Sequence, residues 1–359
     1  MTSTITTVSN KSDAKSHHSN ITIVVVPRER FSYTQQSLDS IYEHTTLPFE
    51  LVYVDGGSPK SVQHYLSQAA EEREFALLRT EHFLAPNQAR NLGLRQVKTD
   101  YVLFVDNDVH VSPGWLEKLW QCAKETDAAV ICPLTCIGKP LHEKIHLAGG
   151  EARIFTELQG DKTLRRVHEK HYFVNRPVID VQDKLQRRSC EFAEFHCMLV
   201  KRSIFDEIGA LDEKLLSTRE HIDFCLNVSQ AGGKIYCEPE SVVTYVPDIL
   251  YRWSDLAFFM LRWSDEWEVK SLKRFRKKWN LDKDKYFKKR YKRLGHRRHY
   301  AFLRPLIRKI TFGKTIPWLE RAVIQLERQL NRVITGRYKR LYGKKAREKE
   351  KQVMSKVVG

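Results

Sequence analysis

The first half of the chain alternates between short apolar runs and longer segments in which apolar residues recur at helical spacing. The uncharged run ITIVVV at 21–26, stopped by Pro27, is typical of a strand that is buried on both faces of a parallel sheet. The same criteria predict four further strands, at 50–54, 75–78, 101–105 and 128–131. The segments between them predict helices at about 31–44, 61–74, 87–97 and 113–126.

This alternation of strands and helices predicts an α/β fold with a mostly parallel central sheet and helices on both of its faces. Right-handed crossovers bring the carboxyl ends of parallel strands to one edge of the sheet. Asp55 and the triplet Asp106–Asp108 each follow a predicted strand, so we expect them to share a crevice at that edge. The sequence contains neither a G-x-G-x-x-G turn nor a P-loop, so it predicts neither a dinucleotide-binding site nor a P-loop nucleotide site.

Two carboxylates directly after a buried strand are suited to binding a divalent cation. Mg²⁺ and Mn²⁺ prefer oxygen ligands, and Mg²⁺ usually binds one or two carboxylates together with substrate phosphates. Asp106 and Asp108 are therefore candidate metal ligands. Asp and Asn are also common in turns, so the triplet alone would favour a solvated loop, and the surrounding α/β pattern is what favours a metal site instead.

Taken in order, several motifs within residues 20–250 resemble those of the family 2 glycosyltransferases, which have the GT-A fold. The matching segments are IVVVP at 23–27, VDGGS at 54–58, ARNLGL at 89–94, LFVDND at 103–108 and the stretch at 207–239. The resemblance implies an inverting transferase that moves a sugar from a nucleoside diphosphate sugar to a hydroxyl group of a glycan, lipid-linked or other acceptor. It also implies Mn²⁺ or Mg²⁺ as the cofactor.

The resemblance further assigns residues to the donor and metal sites. Asp106 and Asp108 would hold the metal, and Asp106 would also lie at the donor diphosphate. Asp55 would lie at the nucleoside. The other expected donor-binding residues are Pro27, Arg90 and Asn91.

The catalytic base stays open at this point. Family members often carry Glu-Asp-x-Asp at the start of a helix, with the Asp of the Glu-Asp pair as the base, whereas this chain has His221 in that position. Glu220 and Asp223 are three residues apart on one helical face, so either could reach the acceptor. His221 is a third candidate because histidine titrates near neutral pH. Of these residues, Asp223 is our first choice as the essential residue, and Glu220 is our second.

Two further positions depart from the family pattern. Gly56 follows Asp55 where many relatives have Asp or Asn, and Tyr245 stands where a late strand commonly ends in a metal-binding histidine. Because phenol is a poor ligand for Mg²⁺ or Mn²⁺, the metal would then rely on Asp108, phosphate and water. These departures leave an alternative open: a non-catalytic, degenerate transferase that acts as a membrane- or polyanion-binding adaptor.

The segment HEKIH at 142–146 matches the zinc protease signature H-E-x-x-H. That chemistry requires a helix that presents both histidines on one face. Pro140 precedes the segment and Gly149 follows it closely, which disfavours such a helix. We expect a strand or loop edge at 145–148, beside the donor site.

The charges of the chain, +17 in total, are distributed unevenly. Residues 251–359 contain 33 Lys and Arg against 10 Asp and Glu, whereas the remaining residues contain 28 against 34. The first twenty residues are polar and contain no apolar run. We therefore predict a flexible tail at 1–20, a GT-A domain at 21–250 and a basic helical C-terminal extension at 251–359.

Three explanations compete for the C-terminal extension. Its basic helices, including an amphipathic one at 316–334, could lie on an anionic membrane surface. They could instead pack on a partner or on the enzyme domain. Nucleic acid is an unlikely partner because the sequence contains no recognised binding module. Without an apolar run of membrane-spanning length or a signal peptide, the sequence predicts a cytoplasmic protein, either soluble or peripheral at the inner face of a membrane.

Overall fold

The computed structural model describes residues 19–247, 252–314 and 316–357, so most of the predicted tail at 1–20 lies outside the described residues. The strands of the first half are β1 (Ile21–Val26), β2 (Glu50–Gly56), β3 (Ala76–Thr80), β4 (Tyr101–Asp106), β5 (Val109–Val111) and β6 (Val130–Ile137). Those of the second half are β7 (Ile145–Leu147), β8 (Gly150–Gln159), β9 (Lys162–His171), β10 (Arg188–Cys190), β11 (Cys197–Lys201) and β12 (Ile235–Tyr245).

The helices fall into two groups, one within the sheet domain and one after it. The first group is α1 (Thr34–Glu43), α2 (Lys60–Glu72), α3 (Pro86–Leu94), α4 (Trp115–Thr126), α5 (Ile204–Ile208) and α6 (Glu220–Gln230). The second is α7 (Trp253–Arg262), α8 (Asp265–Lys278), α9 (Lys285–Lys292), α10 (His296–Arg298), α11 (Arg304–Ile310) and α12 (Pro317–Val357). Every strand and helix predicted between residues 21 and 131 is present, with ends that differ by a few residues.

The central sheet has the strand order β10-β12-β6-β11-β4-β1-β2-β3, with β5 paired to β12 and β7 to β6. Strands β1 to β4 pair in parallel, and β6 pairs in parallel with β12. Strand β11 is antiparallel to both β4 and β6, between which it lies. The predicted α/β fold with a mostly parallel sheet is therefore confirmed, but the inserted antiparallel strand was not predicted.

Strand β1 is buried on both faces because successive side chains point to opposite sides of the sheet. Ile23 and Val25 pack in one core with helices α1, α2 and α4. Val24 packs in a second core with helices α3, α5 and α6. Gly93 allows α3 to approach the sheet closely, since a Cβ atom there would lie 2.3 Å from Cγ1 of Val24.

The segment at 142–146 is not a helix. His142 has a positive φ of 65°, and Ile145 begins the short strand β7 on the edge of the sheet. The expected strand at 145–148 is thus present, and the zinc protease interpretation is excluded because a helix is required to align both histidines.

The C-terminal extension is helical, as predicted, and packs on the sheet domain. Asp255 at the start of α7 accepts hydrogen bonds from the backbone N–H groups of Phe31 and Ser32, at 2.8 and 3.2 Å. The extension begins with two separate helices, α7 and α8, because Ser264 caps α8 by accepting a hydrogen bond from the Trp267 N–H. The division at residue 250 stays a prediction, and residues 248–251 lie outside the described part of the chain.

None of the helices in the described ranges combines the length and the apolar character that crossing a membrane requires.

Candidate active site

Asp106 ends β4 at the carboxyl edge of the parallel strands, and its carboxylate is held by cationic and polar side chains. Arg90 on α3 donates to Oδ1 at 2.9 Å, and Arg28 after β1 lies 3.2 Å from Oδ2. Nδ1 of His196 lies 3.3 Å from the same Oδ2. Burial by itself raises the pKa of Asp106, but Arg90 and His196 outweigh it, so that its pKa is below the usual value.

Asp108 differs from Asp106 because its carboxylate has no hydrogen-bond partner among the described residues. The residue is fully buried, and neither carboxylate oxygen accepts a hydrogen bond from any described residue. Burial raises the pKa of Asp108 to about 7, against the opposing effect of Arg28. A buried carboxylate without donors is unfavourable, and a bound cation would relieve it. Asp106 and Asp108 therefore fit a divalent cation, with Mn²⁺ and Mg²⁺ both suited to carboxylate oxygens.

Asn107, between the two acids, has a structural role. Its Nδ2 donates to the backbone carbonyl of Arg30 at 2.8 Å, and its Oδ1 accepts from the Arg28 N–H at 3.1 Å. The side chain therefore fixes the segment after β1 against the end of β4, which brings the Arg28 guanidinium to Asp106.

Glu29 is the centre of a buried network that the sequence analysis did not identify. Its carboxylate accepts hydrogen bonds from Tyr245 at 2.7 Å, from Trp263 at 2.9 Å and from Arg297 at 2.7 Å. Burial raises the pKa of Glu29, but Arg297 and Arg28 hold it well below its usual range. Trp263 and Arg297 belong to the C-terminal extension, so the extension contributes side chains beside the metal site. The run of charged residues directly after β1 is the sequence feature that could have identified this network.

His196 was also missed, because it lies beside Asp106 only through the pairing of β11 with β4. The Asp106 N–H donates to the His196 carbonyl at 3.1 Å. The imidazole stacks on the Tyr245 ring at 4.4 Å, and burial together with Arg28 lowers the pKa of His196 to about 4. Its Nε2 faces Glu194 at 3.5 Å, and Glu194 also contacts Nε2 of His146 at 2.8 Å.

Asp55 and Pro27 lie at the same sheet edge as Asp106, at the ends of β2 and β1. Asp55 accepts hydrogen bonds from Ser58 N–H at 2.8 Å, from Ser58 Oγ at 2.9 Å and from Arg79. A Cβ atom at Gly56 would lie 3.1 Å from Cγ of buried Pro27. Asp55 and Asp106 therefore share one edge of the sheet, although the Asp55 carboxylate is already engaged by its own turn and by Arg79.

The two expected donor residues on α3 have different surroundings. Arg90 faces Asp106, and its buried Nε makes no hydrogen bond with a described residue. Asn91 points to the loop before α6, where its Nδ2 donates to the Leu211 carbonyl at 2.9 Å and its Oδ1 accepts from the Leu211 N–H at 3.0 Å. A contact between Asn91 and the donor would require the amide to leave this loop.

The three candidate bases lie at the start of α6 in distinct environments. Glu220 pairs with Arg262 at 3.2 Å, and its buried Oε2 accepts no hydrogen bond from the described residues. Asp223 instead accepts from Lys278 Nζ at 2.7 Å and from Trp279 Nε1 at 2.8 Å, both in the C-terminal extension. Burial raises the pKa of Asp223 even though Lys278 opposes this effect.

The third candidate, His221, packs its half-buried ring edge-on against Phe192 at 5.3 Å between centroids. Burial lowers its pKa, with Glu194 opposing. Glu220 is the candidate most directly connected to the metal site: Arg262, which binds Glu220, also donates from Nε to the Arg28 carbonyl at 3.1 Å.

Residues 22–209, about half of the chain, match the family described as glycosyl transferase family 2. The fold is the one that the sequence resemblance implied, and the chain belongs to this family of glycosyltransferases.

Curated relatives include the pre-mycofactocin glycosyltransferase of Mycobacterium tuberculosis, which is 23% identical over 232 residues, 64% of this chain and 43% of the relative. Glycosyltransferase GlyG of Streptococcus pneumoniae is 27% identical over 112 residues, 31% of this chain and 37% of the relative. The chain thus spans less than half the length of either protein.

Two similar solved structures are GalNAc-T7 with UDP, GalNAc and Mn²⁺, and S. aureus TarS 1-349 in complex with UDP-GlcNAc. The first has a TM-score of 0.48 and 17% identity, with 77% of this chain and 56% of that chain covered. The second has a TM-score of 0.44 and 15% identity, with 79% and 73% covered.

Proposed function

We propose that this protein transfers a sugar, with inversion, from a nucleoside diphosphate sugar to a hydroxyl group of a glycan or lipid-linked acceptor, assisted by Mn²⁺ or Mg²⁺. The observation that carries the proposal is the pair Asp106 and Asp108, of which Asp108 is buried without a hydrogen-bond donor among the described residues. Family membership supports a nucleotide-sugar donor.

Asp106 and Asp108 would hold the cation, which would offset negative charge on the leaving diphosphate. Arg28 and Arg90 each have a buried N–H group that makes no hydrogen bond with the described residues, at Nη1 and Nε respectively. Such donors are suited to phosphate oxygens. Asp55, at the neighbouring strand end, is the proposed nucleoside contact.

For the base we propose Glu220, which would remove the acceptor proton as the hydroxyl attacks the anomeric carbon. Its Oε2 is available, whereas both oxygens of Asp223 are occupied by Lys278 and Trp279. His221 remains the second candidate, since its position corresponds to the usual base of the family.

The decisive experiment measures donor binding and turnover on the full chain. The protein is incubated with Mn²⁺ and a panel of nucleoside diphosphate sugars, and released nucleoside diphosphate is detected; melting temperatures are recorded with Mn²⁺ plus UDP, GDP or dTDP. Binding at a concentration 100 times Kd adds about 2.7 kcal/mol to the free energy of unfolding, which raises the melting temperature measurably. We expect one nucleotide to stabilise the parent but not Asp108→Asn.

The control for this experiment is Asp161→Asn, on the exposed turn between β8 and β9, which should respond as the parent does. Equal stabilisation of Asp108→Asn and the parent would contradict the metal assignment. No stabilisation of the parent by any nucleotide would favour the non-catalytic adaptor that binds a membrane or polyanion.

A second proposal concerns the membrane, because α11 and the start of α12 expose apolar and basic side chains together. We name this region the C-terminal turn surface; its apolar members are Leu306, Ile310, Phe312 and Trp318, and its basic members are Arg308, Lys309 and Lys314. Phe312 is 94% exposed and Trp318 is 70% exposed. Such a surface suits an anionic lipid membrane, where each basic residue adds about 1 kcal/mol of attraction.

Sedimentation with vesicles tests this surface. We expect the parent to sediment with phosphatidylcholine vesicles that contain phosphatidylglycerol, and the double variant Phe312→Glu/Trp318→Glu to stay in solution. Trp253→Glu is the matched control, because Trp253 is 90% exposed at the start of α7, outside the C-terminal turn surface. Equal sedimentation of the double variant and the control would contradict the membrane proposal.

A further inference from the structure

A single imidazole, that of His196, lies between two carboxylates. Its Nδ1 is 3.3 Å from Oδ2 of Asp106, and its Nε2 is 3.5 Å from Oε2 of Glu194. A neutral imidazole has one N–H donor and one lone pair, so it can donate to only one of these carboxylates. Nδ1 is buried and makes no hydrogen bond with the described residues. The nitrogen that faces Asp106 is therefore available as an acceptor of a cation.

Glu194 is placed to hold the opposite side of the His196 ring. Its carboxylate is contacted by His146 Nε2 at 2.8 Å, and the Nε2 of His196 points to the same oxygen. A histidine that binds a metal through one nitrogen commonly donates its other N–H to a carboxylate, which fixes the tautomer and the orientation of the ring. In this protein Glu194 is in the position of that carboxylate, and His146 contacts it.

The ligand atoms of Asp106, Asp108 and His196 converge. They all lie within 4.8 Å of one another, and all three residues are buried. The ring of Tyr245 stacks on the face of the His196 ring, with 4.4 Å between their centroids, and so fixes its orientation. Tyr245 itself occupies the place where a histidine ligand was expected and donates its hydroxyl hydrogen to Glu29 instead.

We propose that His196 is the third protein ligand of the cation at Asp106 and Asp108, through Nδ1, and that Glu194 and His146 position its ring. This inference rests on the proposed function and makes it more specific. A nitrogen ligand favours a first-row transition dication such as Mn²⁺ over Mg²⁺, whose ligands are oxygens. The protein is thus a Mn²⁺-preferring transferase in which a histidine directly before an antiparallel strand replaces the one missing at Tyr245.

Pulsed electron paramagnetic resonance of Mn²⁺ bound to the full chain, with and without UDP or GDP, tests the assignment. We expect a ¹⁴N coupling to Mn²⁺ in the parent and its loss in His196→Gln, together with at least a tenfold weaker Mn²⁺ affinity and little change for Mg²⁺. Glu194→Gln should keep the ¹⁴N coupling but weaken Mn²⁺ binding by about 10- to 100-fold, as is typical for such positioning residues.

The matched control is His168→Gln, which removes a similar His–Glu pair, 2.9 Å from Glu151, on the β8–β9 hairpin. This variant should retain both the ¹⁴N coupling and the Mn²⁺ affinity of the parent. Mn²⁺ binding without ¹⁴N coupling in the parent, or unchanged affinity in folded His196→Gln, would overturn this inference while the proposed function stands. Two Mn²⁺ ions per chain would also overturn it, because Nε2, Glu194 and His146 would then bind a second ion. No binding of either Mn²⁺ or Mg²⁺, with or without UDP or GDP, would overturn both.

Discussion

At the scale of single residues, the site is defined by which buried polar atoms have partners and which do not. Asp106 is held by Arg90 and Arg28, whereas Asp108 has no donor among the described residues. The same distinction separates Glu220, with its available Oε2, from Asp223, whose oxygens both accept hydrogen bonds. Buried polar atoms are almost always satisfied in proteins, so such exceptions are candidate positions for a bound ion, water or substrate.

Glu220→Gln is the residue-scale prediction. We expect kcat to fall about 10²- to 10⁴-fold, because the amide cannot accept the proton of the acceptor hydroxyl. Donor affinity should stay unchanged, since Gln can still accept a hydrogen bond from Arg262. Steady-state kinetics with the donor found in the panel, together with nucleotide binding by calorimetry, measure both. His221→Gln is the comparison: a larger loss of kcat there than in Glu220→Gln would identify His221 as the base.

At the scale of elements, α6 is connected to the C-terminal extension through its first two turns. Asp223 accepts hydrogen bonds from Lys278 and Trp279, and Glu220 accepts one from Arg262. The loop and helix that carry the candidate base are therefore held by helices α7 and α8. The extension thus acts as a support for the site as well as a basic surface.

Asp223→Ala is the element-scale prediction. It leaves Lys278 and the Trp279 N–H without their partner in a largely buried place, so we expect the free energy of unfolding to fall by about 2–4 kcal/mol. Urea denaturation measures this loss. Lys270→Ala is the control, because it removes the exposed pair of Lys270 with Glu266, and such pairs contribute about 0.3–0.5 kcal/mol. Equal losses in both variants would contradict the supporting role of Asp223.

At the scale of the whole molecule, the packing of the extension makes stability depend on pH. Glu268 on α8 accepts a hydrogen bond from the Gly295 N–H at 2.9 Å, and Arg298 and Asp265 lie near it. Burial raises the pKa of Glu268 to about 7. Because the folded pKa exceeds the unfolded value of about 4.3, this carboxyl stabilises the fold fully below that value, and the contribution is lost as the pH rises through 7.

Glu268→Gln tests this dependence. The amide keeps an acceptor for Gly295 but cannot ionise, so we expect the variant to be more stable than the parent at pH 8 by about 3–4 kcal/mol, because about 2.7 pKa units separate the folded and unfolded carboxyl and each unit corresponds to about 1.4 kcal/mol. Near pH 5 the difference should shrink to about 1 kcal/mol, because the folded parent is then protonated and this pH lies less than one unit above the unfolded pKa of about 4.3. Urea denaturation at both pH values gives the comparison. A difference that is the same at pH 5 and pH 8 would contradict the shifted pKa.

Much of the fold could be predicted because its strands are buried on both faces and therefore have continuous apolar sequences. The runs that form β1 and β4 are of this kind, and the acids that follow them are fixed at the carboxyl edge by the parallel arrangement. The position of Asp106 and Asp108 at this edge could thus be predicted from the pattern of strands and helices around them. The helical character of the extension followed similarly from helical spacing.

Only the tertiary structure revealed the remaining residues of the site, because they come from segments distant in sequence. His196 reaches Asp106 through the antiparallel insertion of β11, and Arg297 reaches Glu29 through the return of the extension over the sheet edge. No local sequence pattern around His196 predicts its contact with Asp106, and none around Arg297 predicts its contact with Glu29. Asp223 shows the converse: its position in a helix was predictable, but its partners Lys278 and Trp279 were not.

The sequence by itself determined the elements between residues 21 and 131, the mostly parallel sheet and the edge that carries Asp106 and Asp108, since these depend on periodicity and on local chain geometry. The tertiary structure decided which buried carboxylates are neutralised and which remain available, since that depends on cations and donors brought together from distant segments. For this protein, Arg28, His196 and Arg297 distinguish Asp108 and Glu220 from the other acids around them.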